Sequence, residues 1–588
     1  MIILMKNRKM KNSSIVILNI FLFLNSIVFS QSNSDTYLGI GSGSRKIAKS
    51  EKEAILPKPV DSTLKMEEVK YYLEPKKHEL VFDLENISPA RLKIVEPLDK
   101  LYSGYVKGGA GSYLTPYLEM NYGSQRSKHE SWGFRGLTKS SLASVKEMGN
   151  TKFSEAELGG YFQKFFYKND LWFQLDYKRD KYRFYGIDYL DSLINPELIN
   201  NDTAFPQTYH LVDLHAKFNS RNTGRDTSKV HYKTWMDYHF LYGKNNLTEN
   251  HFLIGGHSGK FIKREEFLAN FELDINSLSQ PKTLSLDSLD QLQIGDIENN
   301  VSAIVRFNPH IYSRGKNWKA KFGLSLQANI EYNTTPYFFP DVNFSYSLFN
   351  NVFIPYAGLT GNVQRNTWNS IRIDNPFVSE NSILNNTVNK MNLFGGIRGS
   401  LSSSFTFNFK TSYERLKSFC LYVHDTSSSY GNKFELLYDD VNRTTLMGEI
   451  TYQNAEKLKV TSKAEYFIYD LTNQEFAWQK PNFIFTISTF LDLSDKIIVK
   501  GDVFTIGSRV AKVYSSSEGD LLDYNYQFEY GGKRLPMCLD MNLGLEYRYN
   551  ERISAFINFN NFTASKYQIW NNYPVQSINI LGGATFSF

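Results

Sequence analysis

The stretch Gly256-His257-Ser258-Gly259-Lys260 could support chemistry, because it sets a histidine beside a serine between two glycines. A nucleophile elbow has the pattern G-x-S-x-G at a sharp turn between a strand and a helix. Here Lys260 stands where the last glycine should be, and the surrounding residues alternate as in a strand. We therefore expect no catalytic residue here. No other nucleophile and base pair stands out, so the chain is predicted not to be an enzyme.

Two pairs of histidines could be metal ligands. Side chains alternate between the two faces of a strand, so His210 and His215 should point to opposite sides. His231 and His239 share a face but lie far apart along their strand. The glycine-rich stretch 39–43 lacks the Lys-Ser/Thr that follows a phosphate loop. We predict polar lining at the histidines, a flexible tether at the glycines, and no metal or cofactor site.

Charged side chains lie opposite apolar ones in many alternating stretches of the chain. Lysines and carboxylates are mixed on this face, which argues against a strongly selective pore. Two interpretations stay open: a track for a solute, or inter-strand ion pairs that fill a wide lumen. The residues assigned to this inner lining are Lys217, Lys233, Lys319, Lys321, Lys459, Lys463, Glu465, Lys500 and Glu546.

The elements that must carry these residues are short strands. Around Leu324 every second residue is apolar, and the residues between are small, polar or charged. Such a period of two places apolar groups on one face of a strand. Counted back from Phe588, about 22 segments of this kind, each of roughly ten residues and separated by turn residues, follow one another along the chain from residue 102 onward. Three of them are predicted near residues 318–331, 340–348 and 404–416. Residues 418–438 also alternate and are predicted to form a hairpin that extends beyond the membrane.

The connections between the segments are of two kinds. Tight turns such as 167–170 and 550–552 alternate with long connections such as 365–389 and 508–537. Outer-membrane barrels have short turns on the periplasmic side and long loops outside. Residues 101–588 are therefore predicted to be all-β and to form a transmembrane antiparallel β-barrel of about 22 strands, with 20–24 acceptable.

The chain ends on a strand pattern in which Phe588 and Phe586 share one mostly apolar face. The last strand of an outer-membrane barrel ends in this way. Its terminal aromatic residue is part of the signal that the outer-membrane insertion machinery reads. The edge strand of a soluble sheet is the alternative explanation, and the alternation of the rest of the chain weighs against it.

The first 30 residues indicate export from the cytoplasm. Lys6, Arg8, Lys9 and Lys11 precede an almost wholly apolar stretch, 15–24. This stretch is too short for a spanning helix, and the arrangement is typical of a secretory signal peptide. Residue 31 is not a cysteine, so lipidation is not indicated there. Together with the C-terminal pattern, this predicts the outer membrane of a Gram-negative cell, with the lipid bilayer and the insertion machinery as partners.

The composition agrees with a barrel. Aromatic residues make up 15% of the chain although its mean hydropathy is only -0.39. Aromatic girdles and strands that face lipid with alternate residues explain both values. The net charge of +6 comes from interspersed charges, so no nucleic-acid partner is expected. The two cysteines, Cys420 and Cys538, exclude a disulfide scaffold, and the sequence leaves their pairing open.

Residues 31–100 differ from the rest, with five prolines, many charges and little alternation. We predict a mostly extended periplasmic segment that cannot bury a core of its own. It could add a strand to another protein's sheet edge, so a periplasmic or lipoprotein partner is the expected contact. The predicted docking residues are Val69, Tyr71, Leu73, Leu80 and Phe82.

Several loop motifs resemble those of TonB-dependent receptors. The segments Asn558–Phe562 and Trp570–Pro574 before the last strand are similar to the closing hairpin of that family. Ala477–Pro481, Pro355–Leu359 and Asn375–Phe377 resemble motifs of a Bacteroidetes group described as TonB-dependent-receptor-like. The segment from Pro89 to Tyr102 is similar to that group as well. The resemblance covers most of residues 85–588 and implies the barrel, but no particular activity.

The resemblance departs from the family at one point. Such receptors carry a folded plug before the barrel, whereas here only the extended segment 31–100 comes before the first strand. We therefore expect a plugless barrel whose wide lumen either conducts or is filled by inward-folded loops, the N-terminal segment or a partner. The leading function is solute passage or binding at the outer membrane. The alternative is a structural or assembly component of an envelope complex that docks partners through residues 31–100.

Overall fold

The computed structural model describes residues 101–145, 150–187, 206–220, 230–263, 265–282, 284–286, 292–294, 296–331, 333–425, 429, 431–515 and 529–588. The predicted signal peptide, the segment 31–100 and its docking residues lie outside this part of the chain. The described residues form almost only strands, together with one helix, α1 (Trp368–Asp374). The strands are β1 (Gly104–Gly111), β2 (Thr115–Gly123), β3 (Glu130–Ser141), β4 (Phe153–Phe165), β5 (Asn169–Arg183), β6 (Pro206–Ser220), β7 (His231–Tyr242), β8 (Thr248–Ile262), β9 (Glu265–Pro281), β10 (Leu284–Leu286), β11 (Leu292–Ile294), β12 (Ile297–Arg314), β13 (Trp318–Ile330), β14 (Thr334–Tyr346), β15 (Ile354–Gln364), β16 (Thr387–Ser402), β17 (Phe405–His424), β18 (Phe434–Asn454), β19 (Leu458–Leu471), β20 (Phe483–Leu493), β21 (Ile497–Ile506), β22 (Arg509–Ser515), β23 (Glu529–Leu535), β24 (Cys538–Arg548), β25 (Ile553–Asn560), β26 (Gln568–Trp570), β27 (Tyr573–Pro574) and β28 (Asn579–Ser587).

Twenty-two of these strands form one closed antiparallel sheet. Each barrel strand pairs with its neighbour in sequence, and β1 closes the ring by pairing with β28. The remaining strands form three separate hairpins, β10–β11, β22–β23 and β26–β27. The sequence-based prediction of a barrel of about 22 strands is therefore confirmed.

Alternation gives the barrel two different faces. On β13, Phe322 and Leu324 are each 54% exposed on the outer face. The next inward residues, Ser325 and Gln327, are buried and hydrogen-bond to each other at 2.7 Å. Because side chains alternate along a strand, the outer face is apolar and the inner face carries a polar network.

The two ends of the barrel differ in their connections. At one end, hereafter the short-turn end, strands join through turns such as 166–168, 315–317 and 494–496. At the other, the long-loop end, connections include 365–386 and 561–578, although 112–114 and 243–247 are short. The predicted sorting of turns and loops is thus largely present.

Two predicted strand boundaries need correction. The strand expected at 404–416 runs on without a break to His424, because β17 and β18 stay paired beyond a register shift after Leu416. The hairpin expected at 418–438 is therefore present, as the upper part of β17 and β18. The strand expected at 340–348 begins already at Thr334. Its upper half contains Pro336 and Pro340, which obscure a strand pattern because proline cannot donate to a ladder.

The C-terminal residue completes the seam of the barrel. The Phe588 carbonyl accepts from the Ser103 amide at 2.8 Å, and the Phe588 amide donates to the Gly104 carbonyl at 3.0 Å. Its ring stacks on Tyr122 with centroids 6.0 Å apart. The residue therefore contributes both backbone bonds and an aromatic contact where the first and last strands meet.

Deleting Phe588 is expected to lower the amount of assembled barrel several-fold, because the seam loses these contacts and the predicted insertion signal would lose its terminal ring. The measurement is the heat-modifiable barrel band in outer-membrane fractions. Deletion of Lys566, an exposed loop residue, is the control and should leave the band unchanged. Equal band intensities in the two variants would contradict the assigned role of the terminus.

None of the described helices is long and apolar enough to cross a membrane. Cys420 and Cys538 are both buried and free, so the two cysteines are not paired in this structure.

Candidate functional site at the long-loop end

Residues 365–386, which connect β15 to β16, form a segment that we call the lid loop. It contains α1, whose N-cap residue Thr367 exchanges hydrogen bonds with Ser370 in a capping box. The two ends of the loop lie side by side, since the Asn366 side chain donates to the Thr387 hydroxyl at 3.1 Å and to the Asn385 carbonyl at 2.7 Å. The loop is thus an ordered unit that rises from a closed stem.

The lid loop reaches both sides of the barrel. On one side Arg372 forms an ion pair with Asp180 of β5. On the other, the Asn385 amide donates to the Tyr438 hydroxyl of β18 at 3.1 Å. Strands β5 and β18 are the fifth and the sixteenth of the 22 in the ring and therefore stand opposite each other. The loop consequently spans the mouth of the lumen. An inward-folded loop was one of the three ways of filling the lumen that the sequence left open.

An aromatic and aliphatic cluster fastens the loop to its surroundings. Trp368 and Ile371 of α1 are buried against side chains of the neighbouring strands. Phe377 stacks on Tyr573 of the β25–β28 connection with ring centroids 3.6 Å apart, and the Tyr573 hydroxyl donates to the Asn432 carbonyl. Burying one large apolar side chain stabilises the folded state by roughly 1.5–3 kcal/mol. The cluster therefore holds the lid loop in place at the mouth of the barrel. The other buried members are Tyr209, Leu211, Leu241, Leu247, Leu278, Val378, Cys420, Tyr422, Phe434, Leu436 and Trp570.

A buried carboxylate holds the start of the helix. Glu249 of β8 accepts from the backbone amides of Trp368 and Asn369 at 2.7 and 2.9 Å. These amides lack partners within the helix, and a carboxylate is favoured beside them. At the stem of the loop, Arg365 pairs with Asp274 of β9 at 2.9 Å.

Two histidines link these two acidic anchors. His251 contacts Asp274 through Nε2 at 2.9 Å and His239 through Nδ1 at 3.3 Å. The Nε2 atom of His239 lies 3.5 Å from the Glu249 carboxylate. The anchors of the lid loop are therefore joined through the inner wall of the barrel.

A second buried ion pair holds the far part of the loop. Glu380 is paired with Lys433 of the β17–β18 connection at 3.0 Å, and both side chains are almost fully buried. Gln207 and Asn245 also donate to the Glu380 carboxylate. Removing one partner of such a pair typically costs 3–5 kcal/mol, because a buried charge is left unpaired.

A fourth acidic anchor, Asp374, is more exposed. Asp374 accepts from the Tyr422 hydroxyl at 2.6 Å and from Lys480 at 3.0 Å. Partial burial disfavours the charged carboxylate, but the Lys480 ammonium and the two hydrogen bonds outweigh it and hold the pKa of Asp374 below its ordinary value. A group with a lowered pKa stabilises the fold above its unfolded pKa and loses that contribution as pH falls through its folded pKa. This anchor should therefore hold at neutral pH and weaken only in acid.

Glu380→Ala is expected to loosen the lid loop far more than Asp374→Ala. Breaking the buried pair costs about 3–5 kcal/mol, whereas an exposed pair contributes about 0–1 kcal/mol. Limited proteolysis of the purified barrel, with cleavage mapped within residues 365–386, measures the difference. Equal cleavage rates in the two variants would show that Glu380 does not anchor the loop.

The predicted lining residues lie on six barrel strands, β6, β7, β13, β19, β21 and β24, and are not gathered at the lid loop. Lys321 pairs with Asp341 at 2.5 Å, and Lys463 pairs with Glu465 at 3.0 Å. Lys217 lies 4.6 Å from the centre of the Trp172 ring, while Glu546 accepts from Ser554 at 2.8 Å. Lys233, Lys319, Lys459 and Lys500 lie on β7, β13, β19 and β21 respectively.

Sequence reasoning missed the lid anchors. Glu249, Asp274, Glu380 and Lys433 lie in different strands and loops, and only the closed barrel brings them together. The sequence does contain one indication of a packed loop, because residues 365–386 include large apolar side chains that a solvated loop would not need.

The stretch Gly256–Lys260 lies within β8, as its alternation predicted, and not at a strand–helix turn. Among the described residues, no group of three or more His, Cys, Asp or Glu side chains is arranged to hold a metal ion.

The chain is similar to known proteins in its three-dimensional structure but matches none of the compared families or curated proteins in its sequence. No protein family profile matches the chain, and no curated protein is similar in sequence. The pyoverdine outer membrane receptor FpvA from Pseudomonas aeruginosa PAO1, bound to pyoverdine, superimposes with a TM-score of 0.61 at 13% identity over 84% of this chain and 79% of that one. The siderophore receptor PirA from Acinetobacter baumannii gives a TM-score of 0.60 at 10% identity over 84% and 81%. The ferric-catecholate import receptor Fiu from E. coli K12 gives 0.58 at 9% over 83% and 82%. At these identities the likeness establishes the fold.

Proposed function

We propose that the chain is an outer-membrane barrel of a Gram-negative bacterium that binds a solute at its long-loop end and passes it through a gated lumen. The observation that carries the proposal is the lid loop, which spans the mouth of a 22-stranded barrel. A barrel of this size encloses a lumen wide enough to need closing. The lid loop closes it from within the same chain.

Three further points support this proposal. The outer face exposes large apolar side chains on many barrel strands, as a lipid-facing wall requires. Three solved structures with a similar fold are a pyoverdine outer membrane receptor, a siderophore receptor and a ferric-catecholate import receptor. The inner lysines and carboxylates would contact a polar solute on its way, without selecting strongly for one sign of charge. No catalytic function is proposed.

We further propose that the barrel belongs to the plugless, receptor-like kind that the Bacteroidetes motifs resemble. Two of those motifs support this proposal by their position, since Phe377 belongs to the lid loop and Lys480 pairs with Asp374 of the same loop. In this proposal these two motifs help to close the mouth, whereas Pro355–Leu359 lies on β15 within the wall. The signal peptide at 1–30 and the insertion signal at Phe586 and Phe588 complete the route to the membrane.

Cysteine labelling in whole cells tests the membrane placement. Phe562→Cys lies at the long-loop end and Tyr167→Cys at the short-turn end, at positions where the native side chains are 52% and 95% exposed. The native cysteines are buried and should not react. A membrane-impermeant maleimide is expected to label the first variant in intact cells and the second only after permeabilisation. Equal labelling of both in intact cells would refute the proposed orientation.

A second proposal concerns residues 31–100, which we assign to periplasmic docking of a partner, possible for an extended chain by strand addition. Deleting residues 35–95 while keeping the signal peptide is expected to remove a co-purifying partner and leave conductance unchanged. A sharp rise in conductance with no lost partner would show instead that the segment closes the lumen.

A further inference from the structure

The barrel wall is not continuous between β14 and β15. The two strands pair only from Val342↔Leu359 to Ser345↔Tyr356, near the short-turn end. Above these rungs, residues 334–341 remain paired with β13, and residues 360–364 remain paired with β16. Neither stretch pairs with the other, so the upper half of the wall contains a split, which we call the wall notch.

The β14 side of the wall notch has few hydrogen-bond donors. Pro336 and Pro340 lie opposite Ala328 and Leu324 of β13. Proline has no amide hydrogen and is tolerated in a strand where its backbone points away from a partner. Because the two prolines are four residues apart, they share one edge. That edge presents their carbonyl oxygens towards the wall notch without matching donors.

On the β15 side of the wall notch, side chains hydrogen-bond to the backbone groups that a neighbouring strand would otherwise pair with. The Val363 amide donates to Gln327 Oε1 of β13 at 2.9 Å, and the Val363 carbonyl accepts from Arg306 of β12 at 3.1 Å. These side chains occupy the place that a neighbouring backbone would take. The Phe339 ring covers Gly361 so closely that a Cβ there would lie 2.5 Å from it. The β14 edge carries prolines that have no amide to pair, and the β15 edge has its backbone groups paired with side chains. The wall notch is therefore an ordered part of the structure and not a frayed strand end.

The inner side of the wall notch is closed by apolar side chains. Ile304, Phe339, Val363 and Val388 form a buried cluster, with Tyr337 packed against it. Water in the lumen is therefore separated from the outer surface at this level. A ligand in the wall notch would approach from the outside.

The wall notch stands at the depth of the outer leaflet in the proposed orientation. Trp318 and Tyr346 pair near the short-turn end, and Phe338 lies eight residues above Tyr346 on β14. With strands tilted by roughly 40° this is a rise of roughly 20 Å, within an apolar band about 25 Å tall. Phe338 is 74% exposed, and Asn362 and Gln364 are exposed on the other side of the wall notch.

We propose that the wall notch binds a glycolipid of the outer leaflet that has a neutral, hydroxyl-rich head. Its hydroxyl groups donate to the carbonyl of Pro336 and to the amide side chains of Asn362 and Gln364 in the upper part of the wall notch, while an acyl chain packs against Phe338 and extends down towards Pro340. Residues 334–342 and 359–364 contain no lysine or arginine, so an anionic headgroup finds no counter-charge there. An added peptide strand is disfavoured because the prolines withhold two amide donors. The inference rests on the membrane placement proposed above.

Lipid retention by the purified full-length barrel tests this inference. Native mass spectrometry compares a monogalactosyl diacylglycerol with a phosphatidylglycerol of the same acyl chains, each added at equal concentration. Phe338→Ala is compared with Phe344→Ala, a matched change on the same strand beside the paired part of the wall, where Phe344 is 45% exposed. Heat-modifiable mobility verifies that each variant is folded.

The wild-type barrel is expected to retain the galactolipid over the phosphatidylglycerol. Phe338→Ala should lower galactolipid retention roughly threefold to tenfold, as the loss of one apolar contact implies, and Phe344→Ala should not. Equal retention of the two lipids by the wild type, or equal losses in the two variants, would overturn the inference. If cysteine labelling gives the expected orientation while retention is unselective, only the glycolipid site fails. If both cysteine variants are labelled equally in intact cells, the proposed membrane placement is wrong, and the glycolipid site that rests on it is wrong as well.

Discussion

Replacing residues 368–384 with a Gly-Gly linker is expected to raise the single-channel conductance of the purified barrel about tenfold or more, since the lumen of a 22-stranded barrel is wide once nothing crosses it. The change spares the stem of the lid loop, where Gln364 pairs with Thr387 and Asn366 bonds to the same residue. The strands should therefore assemble normally. Planar-bilayer recordings of the variant and of the wild type measure the effect.

The control for this change is a linker of the same composition at the other end of the barrel. Replacing residues 125–128 between β2 and β3 should leave the conductance within about twofold of the wild type, as expected for a surface turn. A lid-deleted barrel that stays silent would mean that another part of the chain, such as residues 31–100, closes the lumen. The gating role of the lid loop would then be wrong.

Leu324→Arg is expected to reduce the yield of folded barrel severely. Leu324 is 54% exposed on the outer face of β13, in the middle of the strand. An arginine facing lipid at mid-depth costs about 2–4 kcal/mol, a large share of the roughly 5–15 kcal/mol that stabilises a typical fold. Urea unfolding in lipid vesicles, followed by the heat-modifiable band, gives the change in free energy of unfolding.

Thr461→Arg is the matched substitution on the inner face. Thr461 is half-buried on β19 between Lys459 and Lys463, so an added cation there enters polar surroundings. We expect a loss below about 1 kcal/mol. Ser325 would be a poorer control, because it is buried and hydrogen-bonds to Asn308 at 2.7 Å. Similar losses for Leu324→Arg and Thr461→Arg would mean that the apolar face does not meet lipid.

The alternation of residues was enough to predict the barrel, because the period of two is a local property of each strand. Strand ends were less predictable, since they depend on partners that are distant in sequence. The alternation at 418–438 predicted the upper hairpin of β17 and β18, but not that β17 runs into it from 404–416 without a break, because that depends on the pairing with β18. β14 was placed too late because Pro336 and Pro340 hide its upper half, and that half is also where the wall divides.

The candidate site was predictable only in fragments. Alternation alone predicts which lysines share a face of their strand. The lid loop is not predictable in this way, because Glu249, Asp274 and Glu380 become anchors only when strands and loops that are distant in sequence meet at one mouth. The contact between Phe377 and Tyr573 likewise joins two loops that are distant in sequence. Long-range contacts of this kind leave no periodic signal in the sequence.

The closed stem of the lid loop has a consequence for how such a protein can diverge. Because Asn366, Asn386 and Thr387 already join the two ends, the segment between them is a cassette whose exchange should leave the strand pairing at the stem in place. Substitutions can then accumulate in the cassette and its few anchoring partners, while the strands of the barrel stay under separate constraint. Recombination between relatives would be tolerated most readily at this stem.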